Sequence, residues 1–371
     1  MALPNFRGHR VTSVEATTGT ILIYRLGSLG DTVVALPSLR LIARTFPQAE
    51  RWILTNRPVA NKAAPLAQVI EGAGLVHGFL DYPLKTRSLA QITELRASIR
   101  KLAPTVLIYL IPYRGLPQLI RDYLFFRACG IRKIVGMPFD QDLRQPIYDP
   151  ASDSWEPEAT RLTRCIHSIG NAQIDEASAW DLGLTDAEQA ESRRILTAWN
   201  GVSSYIVACL GTKADTKDWG GENWSKLLKR VSEKNPELGL LLVGAPDEYA
   251  LSEQAARMWK GPLLNLCGRT SPRLSAALIS KARAYVGHDS GPMHLAAAVG
   301  VPSIAVFSAR NRPGEWFPRG ANNRVIYHKT ECFGCGLEVC PVHLKKCIAG
   351  ITVDEVLWAV EETLGNLLAP G

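Results

Sequence analysis

The sequence predicts two α/β domains, each built on a doubly wound parallel sheet, and three observations support this fold class. The chain has 371 residues, whereas a single hydrophobic core usually stops growing at roughly 250 to 300 residues. Short aliphatic or β-branched runs alternate with amphipathic stretches in both halves, which is typical of βαβ units. Each half also contains a strand that leads into a glycine-containing turn and a helix, the usual ligand-binding junction of such sheets.

Four strands are predicted in each half from apolar runs that lie between turn signals. The strands of the first half cover residues 20–24, 51–55, 105–110 and 133–136. The strands of the second half cover residues 204–209, 239–243, 284–286 and 303–307. We expect amphipathic helices between them, so that neighbouring strands run parallel.

The boundary between the two domains falls in a segment that itself contains a helix. We predict that helix over residues 186–199, with Thr185 as its N-cap. The boundary therefore lies between residues 169 and 201. We assign residues 1–180 to an N-terminal domain and residues 181–350 to a C-terminal domain.

The last segment, residues 351–371, is predicted to contain a separate helix. Apolar residues recur on one helical face over residues 352–368. Thr352 and Glu355 have the Thr-x-x-Glu spacing of a capping box, which marks the start of a helix.

Charge is distributed unevenly along the chain. Residues 1–150 carry 19 Lys or Arg against 10 Asp or Glu, a net charge of +9, whereas the remaining residues carry 23 against 25. A basic N-terminal half favours an anionic partner such as a phosphorylated glycan, an anionic membrane or nucleic acid. A well-solvated basic surface explains the same composition equally well.

The sequence contains no predicted membrane span, because its apolar runs fall far short of the roughly 20 residues that cross a bilayer. The first twenty residues include Arg7, His9, Arg10 and Glu15, and they lack the apolar centre of a secretory signal. We therefore expect a cytoplasmic protein without a disulfide framework.

The first chemical motif follows the strand at residues 20–24. The sequence Arg-Leu-Gly-Ser-Leu-Gly-Asp fills residues 25–31 at the start of a helix, where backbone amides attract anions. Gly27 and Gly30 permit close approach to a ligand, but their spacing matches neither the dinucleotide fingerprint nor the P-loop. Asp31 has two interpretations: an N-cap, or a general base facing the crevice at the carboxyl edge of the sheet.

The second motif, residues 285–298, reads as a strand, a turn of small residues and an alanine-rich helix. Ser290 suits the N-cap and Gly291 the first turn, so free amides there would bind a diphosphate. His294 lies one turn into the helix and would reach the phosphate, although a lone His is more often structural. Asp289 would repel phosphate unless its carboxylate faces other donors, so we expect it to brace the turn.

Two loops that follow strands of the second half add candidate ligands. Thr212, Lys213 and Lys217 come after the strand at residues 204–209 and would neutralise a diphosphate. Loop lysines are usually solvated, so this signal is weak by itself. Glu248 follows the next strand, where acidic residues of other nucleotide sites hold a ribose hydroxyl.

The eight cysteines fall into a scattered group and a clustered group. The scattered four are expected to be small core residues: Cys129, Cys165, Cys209 and Cys267. The clustered four have the spacing of a structural zinc or iron site: Cys332, Cys335, Cys340 and Cys347. Reduced thiols that pack a compact loop are the alternative, and four thiolate ligands would leave no open position for catalysis.

Together the two motifs resemble the signatures of glycosyltransferase family 9, the heptosyltransferase-like enzymes of lipopolysaccharide synthesis. The N-terminal signature resembles residues 21–37, with Phe46 and Pro47. The C-terminal signature resembles residues 289–298 and 300–302, with Trp316, Pro318 and the cysteine cluster. The resemblance covers about residues 20–365, which is nearly the whole chain.

The resemblance implies a GT-B architecture, in which two Rossmann-like domains face each other across a cleft. The N-terminal domain would bind an anionic, lipopolysaccharide-type acceptor, and a peripheral contact with the inner membrane would bring the two together. The last helix would cross back to the N-terminal domain. Family members are inverting enzymes that need no cofactor for the chemistry, so Asp31 would deprotonate the acceptor hydroxyl.

The same resemblance implies that the C-terminal domain binds the donor, ADP-heptose. The residues that would hold its diphosphate are Lys217, Asp289, Ser290, Gly291 and His294, with Thr212 and Glu248 as looser matches. The loop around Lys213 and Lys217 is longer than in the family, which leaves open which lysine contacts phosphate. Residues 60–180 match no signature, so the acceptor is not specified.

Other functions remain open on the sequence. A related enzyme would transfer heptose to a protein such as an autotransporter, and some enzymes of that kind carry cysteine-ligated iron. A catalytically silent sugar-nucleotide-binding module would bind donor without turnover. A nucleic-acid-binding protein would leave Asp31 and Asp289 without a role, so we expect no nucleic acid partner. An NAD oxidoreductase is disfavoured because no G-x-G-x-x-G follows the early strands.

Overall fold

The computed structural model describes residues 19–56, 64–83, 88–199 and 202–366. The expectation that the chain begins without a secretory signal concerns residues that lie mainly outside these ranges. Within them, no helix is long and apolar enough to cross a lipid bilayer.

The N-terminal domain contains a five-stranded parallel sheet. Its strands are β1 (Thr20–Tyr24), β2 (Glu50–Thr55), β3 (Gly78–Asp81), β4 (Val106–Tyr109) and β5 (Lys133–Val135). Their order across the sheet is β3-β2-β1-β4-β5. A short antiparallel hairpin follows, made of β6 (Tyr148–Asp149) and β7 (Ser154–Trp155).

The C-terminal domain contains a six-stranded parallel sheet. Its strands are β8 (Tyr205–Cys209), β9 (Gly239–Leu242), β10 (Leu263–Asn265), β11 (Ala284–His288), β12 (Ser303–Phe307) and β13 (Arg324–Tyr327). Their order is β10-β9-β8-β11-β12-β13. The predicted fold class, two doubly wound α/β domains, is confirmed.

Thirteen α-helices are described, and most of them connect the strands. Those of the first part are α1 (Leu29–Val34), α2 (Leu36–Thr45), α3 (Ala67–Ile70), α4 (Leu89–Leu102), α5 (Leu116–Ala128) and α6 (Glu158–Cys165). Those of the second part are α7 (Asp186–Ala198), α8 (Gly221–Lys234), α9 (Tyr249–Ala256), α10 (Pro272–Ile279), α11 (Gly291–Ala298), α12 (Lys346–Ala349) and α13 (Val353–Asn366).

The two predicted helix starts have the expected caps. Thr185 Oγ1 accepts from the backbone N–H of Glu188 at 3.3 Å, and the Glu188 carboxylate accepts from Thr185 N at 2.8 Å. Thr352 and Glu355 form the same reciprocal pair at the start of α13. Each box satisfies amide groups that have no partner inside the helix.

The last helix, which we expect to cross back to the N-terminal domain, has extensive contacts with the C-terminal domain. The described part of α13 packs on α8 and on strands β11, β12 and β13. Its apolar face, which includes Val356, Val360 and Leu364, belongs to the core of the C-terminal domain. Lys234 pairs with Glu361 on the polar side at 2.5 Å. The apolar face of α13 is therefore buried in its own domain, and the crossing of the segment 351–371, whose last residues lie outside the described ranges, stays a prediction.

The two sheets reverse their strand order at β1/β4 and at β8/β11. In open α/β sheets, ligands bind at such switch points, outside the carboxyl ends of the strands. The helices that follow β1 and β11, namely α1 and α11, pack against each other. The two switch points therefore face each other across the boundary between the domains.

Arg273 holds the two domains together near this boundary. Its guanidinium donates to the backbone oxygen of Val69 in α3 and to that of Leu182 in the connecting segment, at 3.0 and 2.9 Å. It also forms a bidentate ion pair with Glu188, at 2.6 and 2.8 Å. A buried guanidinium with this many partners fixes how the two sheets are placed.

Candidate active site

A cleft of about 1510 Å³ lies between the carboxyl edges of the two sheets. Both chemical motifs contribute to its wall. The predicted site residues that line it are Gly30, Asp31, Thr212, Lys217, Glu248, Asp289, Ser290, Gly291 and His294. Gly27 lies just behind Asp31 rather than on the wall.

Asp31 is the third residue of α1, and Ser28 is the N-cap. The backbone N–H and the hydroxyl of Ser28 donate to Asp31 Oδ2, at 2.8 and 3.0 Å. Asp31 Oδ1 accepts no hydrogen bond from the described residues, and it lies 3.9 Å from the Arg25 guanidinium. One carboxylate oxygen thus fixes the helix start, while the side chain stays 34% exposed on the cleft. The N-cap interpretation of Asp31 is wrong, since Ser28 has that position.

The Arg25 guanidinium lies beneath Asp31, next to its backbone oxygen and its carboxylate. The Arg25 side chain is fully buried, and it donates to the backbone oxygens of Leu110 and Asp31 at 2.8 and 2.7 Å. Glu158, itself buried, lies 3.9 Å away. Burial lowers the pKa of Arg25, while Asp31 and Glu158 oppose that shift. The guanidinium therefore supplies a fixed positive charge beneath the carboxylate.

Gly27 has a φ of +142°, a conformation that side chains rarely adopt. A Cβ at this position would lie 2.4 Å from the Cβ of Asp31. The absence of a side chain at Gly27 therefore lets Asp31 fold back over the turn. This is a local physical reason for the first glycine of the motif.

The two glycine motifs are in direct contact. A Cβ on Gly30 would lie 3.2 Å from Cδ2 of His294, and a Cβ on Gly291 would lie 2.6 Å from Leu29. Glycine at both positions allows α1 and α11 to approach closely. This contact sets Asp31 of one domain beside the N-terminus of α11 in the other.

Lys217 and Asp289 form an ion pair at 2.6 Å in the cleft wall. Lys217 Nζ also donates to the backbone oxygen of Asp289 at 3.1 Å, and Asn311 donates to Asp289 Oδ2 at 3.0 Å. Asp289 is only 4% exposed. Its carboxylate thus faces donors from two loops, which is the bracing geometry that we expected from the sequence.

Lys213 is the second lysine of this loop. Among the residues that the structure describes, no ion-pair or hydrogen-bonding partner of Lys213 is present. Loss of hydration lowers the pKa of Lys213, and the negative charge of Asp31 opposes that shift. Lys213 therefore faces the cleft near Asp31 without a fixed partner among the described residues, and the sequence did not distinguish it from Lys217.

The N-terminus of α11 faces the cleft. Ser290 is its N-cap, and no side chain caps the helix. The Ser290 hydroxyl is buried, and its polar neighbours there are the side chains of Cys209 and Tyr285. Amides at an uncapped helix start attract phosphate, and the helix dipole adds to that attraction.

His294 is buried between the two domains. It is 5% exposed, and its ring packs edge-on against Trp316 at a centroid distance of 6.2 Å. Burial lowers the pKa of His294 to about 4, while Asp289 and Asp31 oppose the shift. His294 is therefore neutral near pH 7 and can donate one hydrogen bond without adding a charge.

We expect the free energy of unfolding to fall as pH decreases from about 6.5 to about 4, in part because of His294. The unfolded chain binds a proton near pH 6.5, whereas folded His294 binds it near pH 4. Stability is thus fully present above pH 6.5 and is lost toward pH 4, by at most about 1.4 kcal/mol per pH unit. Urea unfolding at several pH values should give His294→Gln a shallower dependence. His167→Gln, at an exposed histidine, is the control, and equal slopes for all three chains would contradict the expectation.

Glu248 lies on the cleft floor where β8 and β9 end. Its carboxylate accepts from the backbone N–H of Ala245 at 3.0 Å. Gly211 and Gly244 pack against it, since a Cβ at either position would come within 2.3 Å of its side chain. Thr212 lines the same part of the cleft. Both predicted residues therefore line the part of the cleft wall that the C-terminal domain provides.

The cysteine loop lies between β13 and α12 and packs against the lysine loop. Thr216 donates to the backbone oxygen of Leu337 at 2.7 Å, and Lys345 pairs with Asp215 at 3.0 Å. Burial raises the pKa of Cys347, whereas backbone N–H groups, that of Lys345 first, lower the pKa of Cys340. The cysteine loop thus supports the lysine loop of the cleft wall from behind.

The predicted metal site at these cysteines is not formed. Within the described ranges, no group of three or more His, Cys, Asp or Glu side chains is arranged to hold a metal ion. Cys332, Cys335, Cys340 and Cys347 are all free thiols, but the structure does not gather three or more of them at one point. The scattered four cysteines are buried, as expected.

Several residues of the cleft carried no recognisable sequence signal. Arg269, Arg310 and Asn311 line it, and each comes from a loop whose position depends on contacts far along the chain. Arg310, for example, donates to the backbone oxygens of Gly336 and Leu337 at 2.6 and 2.8 Å. The one sequence feature that could have identified them is that Arg269 and Arg310 follow the ends of strands, where cleft residues of such sheets lie.

Solved structures share this architecture. A glycosyltransferase family 9 protein from Veillonella parvula superposes with a TM-score of 0.75 at 16% identity, over 95% of this chain and 99% of that one. The ADP-heptose lipopolysaccharide heptosyltransferase II of E. coli superposes with a TM-score of 0.65 at 16% identity, over 94% and 100%. Two doubly wound domains that enclose a cleft in this way define a GT-B glycosyltransferase fold.

Sequence comparison gives the family. The profile of glycosyltransferase family 9 (heptosyltransferase) matches residues 125–345, which is more than half of the chain. Lipopolysaccharide heptosyltransferase 1 of Pseudomonas aeruginosa is 25% identical over 333 residues, which cover 85% of this chain and 84% of that protein. The chain belongs to glycosyltransferase family 9, as the two motifs predicted. The profile match includes Asp289 but not Asp31.

Proposed function

We propose that the protein transfers a heptose from ADP-heptose to a lipopolysaccharide core or a related envelope glycan, with inversion and without a catalytic metal. The observation that carries this proposal is the meeting of Asp31, from one domain, with Lys213, Lys217 and the α11 N-terminus, from the other, in one cleft. Relatives in the family are lipopolysaccharide heptosyltransferases, and one of them is described as an ADP-heptose enzyme.

The donor would occupy the C-terminal half of the cleft, formed by residues 181–350. Its diphosphate would contact the amides of Ser290 and Gly291, with His294 as a neutral donor and Lys213 and Lys217 as cations. Thr212 and Glu248 line the same cleft and would hold the ribose hydroxyls. Charge on the departing ADP would then be met by groups that are already in place.

The acceptor would bind to the N-terminal domain, residues 1–180. Asp31 Oδ1 would take the proton of an acceptor hydroxyl as its oxygen attacks the anomeric carbon. The bond from that carbon to the diphosphate oxygen would break on the opposite face, and ADP would leave with the electron pair. A single displacement of this kind inverts the anomeric configuration. The buried charge of Arg25 holds the carboxylate in position.

The test is to mix the purified full chain with ADP-heptose and a heptose-deficient lipopolysaccharide core. We expect calorimetric donor binding and ADP release that depends on the acceptor. Release with an autotransporter protein as the sole productive acceptor would replace the glycan by a protein substrate. Donor binding without release on either acceptor would indicate a silent binding module, and absence of donor binding would remove the ADP-heptose assignment.

A further inference from the structure

Helix α5 exposes a row of large aliphatic side chains. Leu116, Ile120 and Leu124 are 40%, 39% and 59% exposed. Their spacing of four residues places them on one side of the helix, over about 12 Å of its length. We call these three residues the α5 stripe. Single exposed aliphatic residues are ordinary, but an aligned row on one element marks a surface that contacts something apolar.

The exposed surface around the α5 stripe is basic. Arg114, Arg121 and Arg127 are exposed along the same segment, which runs from residue 114 to residue 128. The acidic residue within that segment, Asp122, is buried, and it accepts hydrogen bonds from Tyr109 and Arg121. The segment therefore presents aliphatic groups and guanidinium groups to solvent, with no exposed carboxylate.

The neighbouring helix α4 extends this basic surface. Arg96 Nε donates to the backbone oxygen of Ala128 at 3.1 Å, which joins α4 to the end of α5. Both helices pack on the same face of the N-terminal sheet. Arg96, Arg100 and Lys101 are exposed on α4, against one exposed acidic residue, Glu94.

The basic charge and the exposed apolar area of this surface distinguish between two binding partners, a second copy of the chain and a lipid membrane. A second copy of the chain, docked by a two-fold axis, would bring the arginines of one α5 against those of the other, and like charges oppose such a contact. An anionic lipid surface is complementary to both features, since aliphatic side chains enter the acyl boundary while guanidinium groups bind lipid phosphates. We propose that the α5 stripe and its arginines dock the N-terminal domain on an anionic membrane surface.

The position of α5 relates this docking to the binding of a membrane-anchored acceptor. Helix α5 begins beside the carboxyl ends of β1 and β4, where a second cavity of about 270 Å³ opens. Tyr24, Tyr113, Arg114 and Gln118 are among the residues that line it. Docking through α5 would hold this cavity against the lipid headgroups. This role in acceptor binding rests on the proposed function, in which the acceptor is a membrane-anchored glycan. The docking itself does not rest on the proposed function.

Vesicle flotation of the full chain tests the docking. We expect binding to vesicles of equal phosphatidylcholine and phosphatidylglycerol, weak binding to phosphatidylcholine alone, and reduced binding at high ionic strength. The double variant Ile120→Glu with Leu124→Glu should bind at least about tenfold less. The matched control is Leu251→Glu with Met258→Glu, at two residues 39% and 49% exposed in the C-terminal domain, and it should bind as the native chain does.

Two outcomes would overturn the proposal. The first is native-level vesicle binding by the α5 variant with its thermal unfolding unchanged. The second is a native chain that fails to bind anionic vesicles. If its dimer, seen by light scattering, also dissociates in the α5 variant, α5 is instead an interface between copies.

Turnover assays show whether a failure concerns the docking surface or the proposed function. The α5 variant should release ADP at the native rate with a water-soluble, delipidated core acceptor and more slowly with the same acceptor in vesicles. A native chain that binds vesicles but does not bind ADP-heptose would remove the proposed donor while leaving the docking surface intact.

Discussion

Replacing Asp31 by Asn is expected to lower kcat by about a hundredfold or more, because an amide cannot take the proton of the acceptor hydroxyl. The affinity for ADP-heptose should change little, since the donor groups lie in the other domain. Acceptor-dependent ADP release at saturating substrate measures the first effect, and calorimetry with ADP-heptose measures the second. A loss confined to kcat would indicate an interaction made only in the transition state.

The variant Ser28→Ala separates chemistry from helix capping at this position. It removes the hydroxyl that donates to Asp31 Oδ2 at 3.0 Å but retains the carboxylate. We expect a stability loss of about 1 kcal/mol, as for the loss of one hydrogen bond, and a loss in kcat of less than about tenfold. Equal losses of kcat in Ser28→Ala and Asp31→Asn would mean that Asp31 acts by holding the helix start, and the base would have to be another group.

The central strands and the two motifs were predictable because their physics is local. Strands β1, β4, β8 and β11 are buried along almost their whole length, so the sequence shows continuous apolar runs of the kind that parallel sheets require. The edge strands β3, β10 and β13 are short and partly exposed, and they lack such runs. For the same reason the capping boxes were readable, since each is made within four residues.

Contacts between distant segments were not predictable from spacing. Lys217 and Asp289 are separated by 72 positions, and only the packing of two loops at one sheet edge brings them together. The surface on which the described part of α13 packs depends in the same way on tertiary contacts. The residue types of the cleft wall could therefore be predicted from the sequence. Only the structure shows that Lys217, and not Lys213, is paired with Asp289.

Replacing Lys217 by Met should weaken ADP-heptose binding by about a hundredfold, which corresponds to about 2.7 kcal/mol. Two effects combine in this variant. The diphosphate loses a cation, and the nearly buried Asp289 carboxylate, now without its partner at 2.6 Å, repels the diphosphate. Calorimetry with ADP-heptose and with ADP measures the change, and thermal unfolding shows whether the fold is retained.

The double variant Lys217→Met with Asp289→Asn decides whether the pair acts as a unit. Neutralising Asp289 removes the repulsion, so the double variant should bind donor about tenfold more tightly than Lys217→Met alone, a coupling within the range found for contacting residues. Lys213→Met should cost about tenfold by itself, and Asp289→Asn should not rescue it, because Lys213 has no fixed partner among the described residues. If Asp289→Asn rescues both lysine variants equally, the carboxylate acts on the donor through its charge alone, and the ion pair has no specific role in holding the loop.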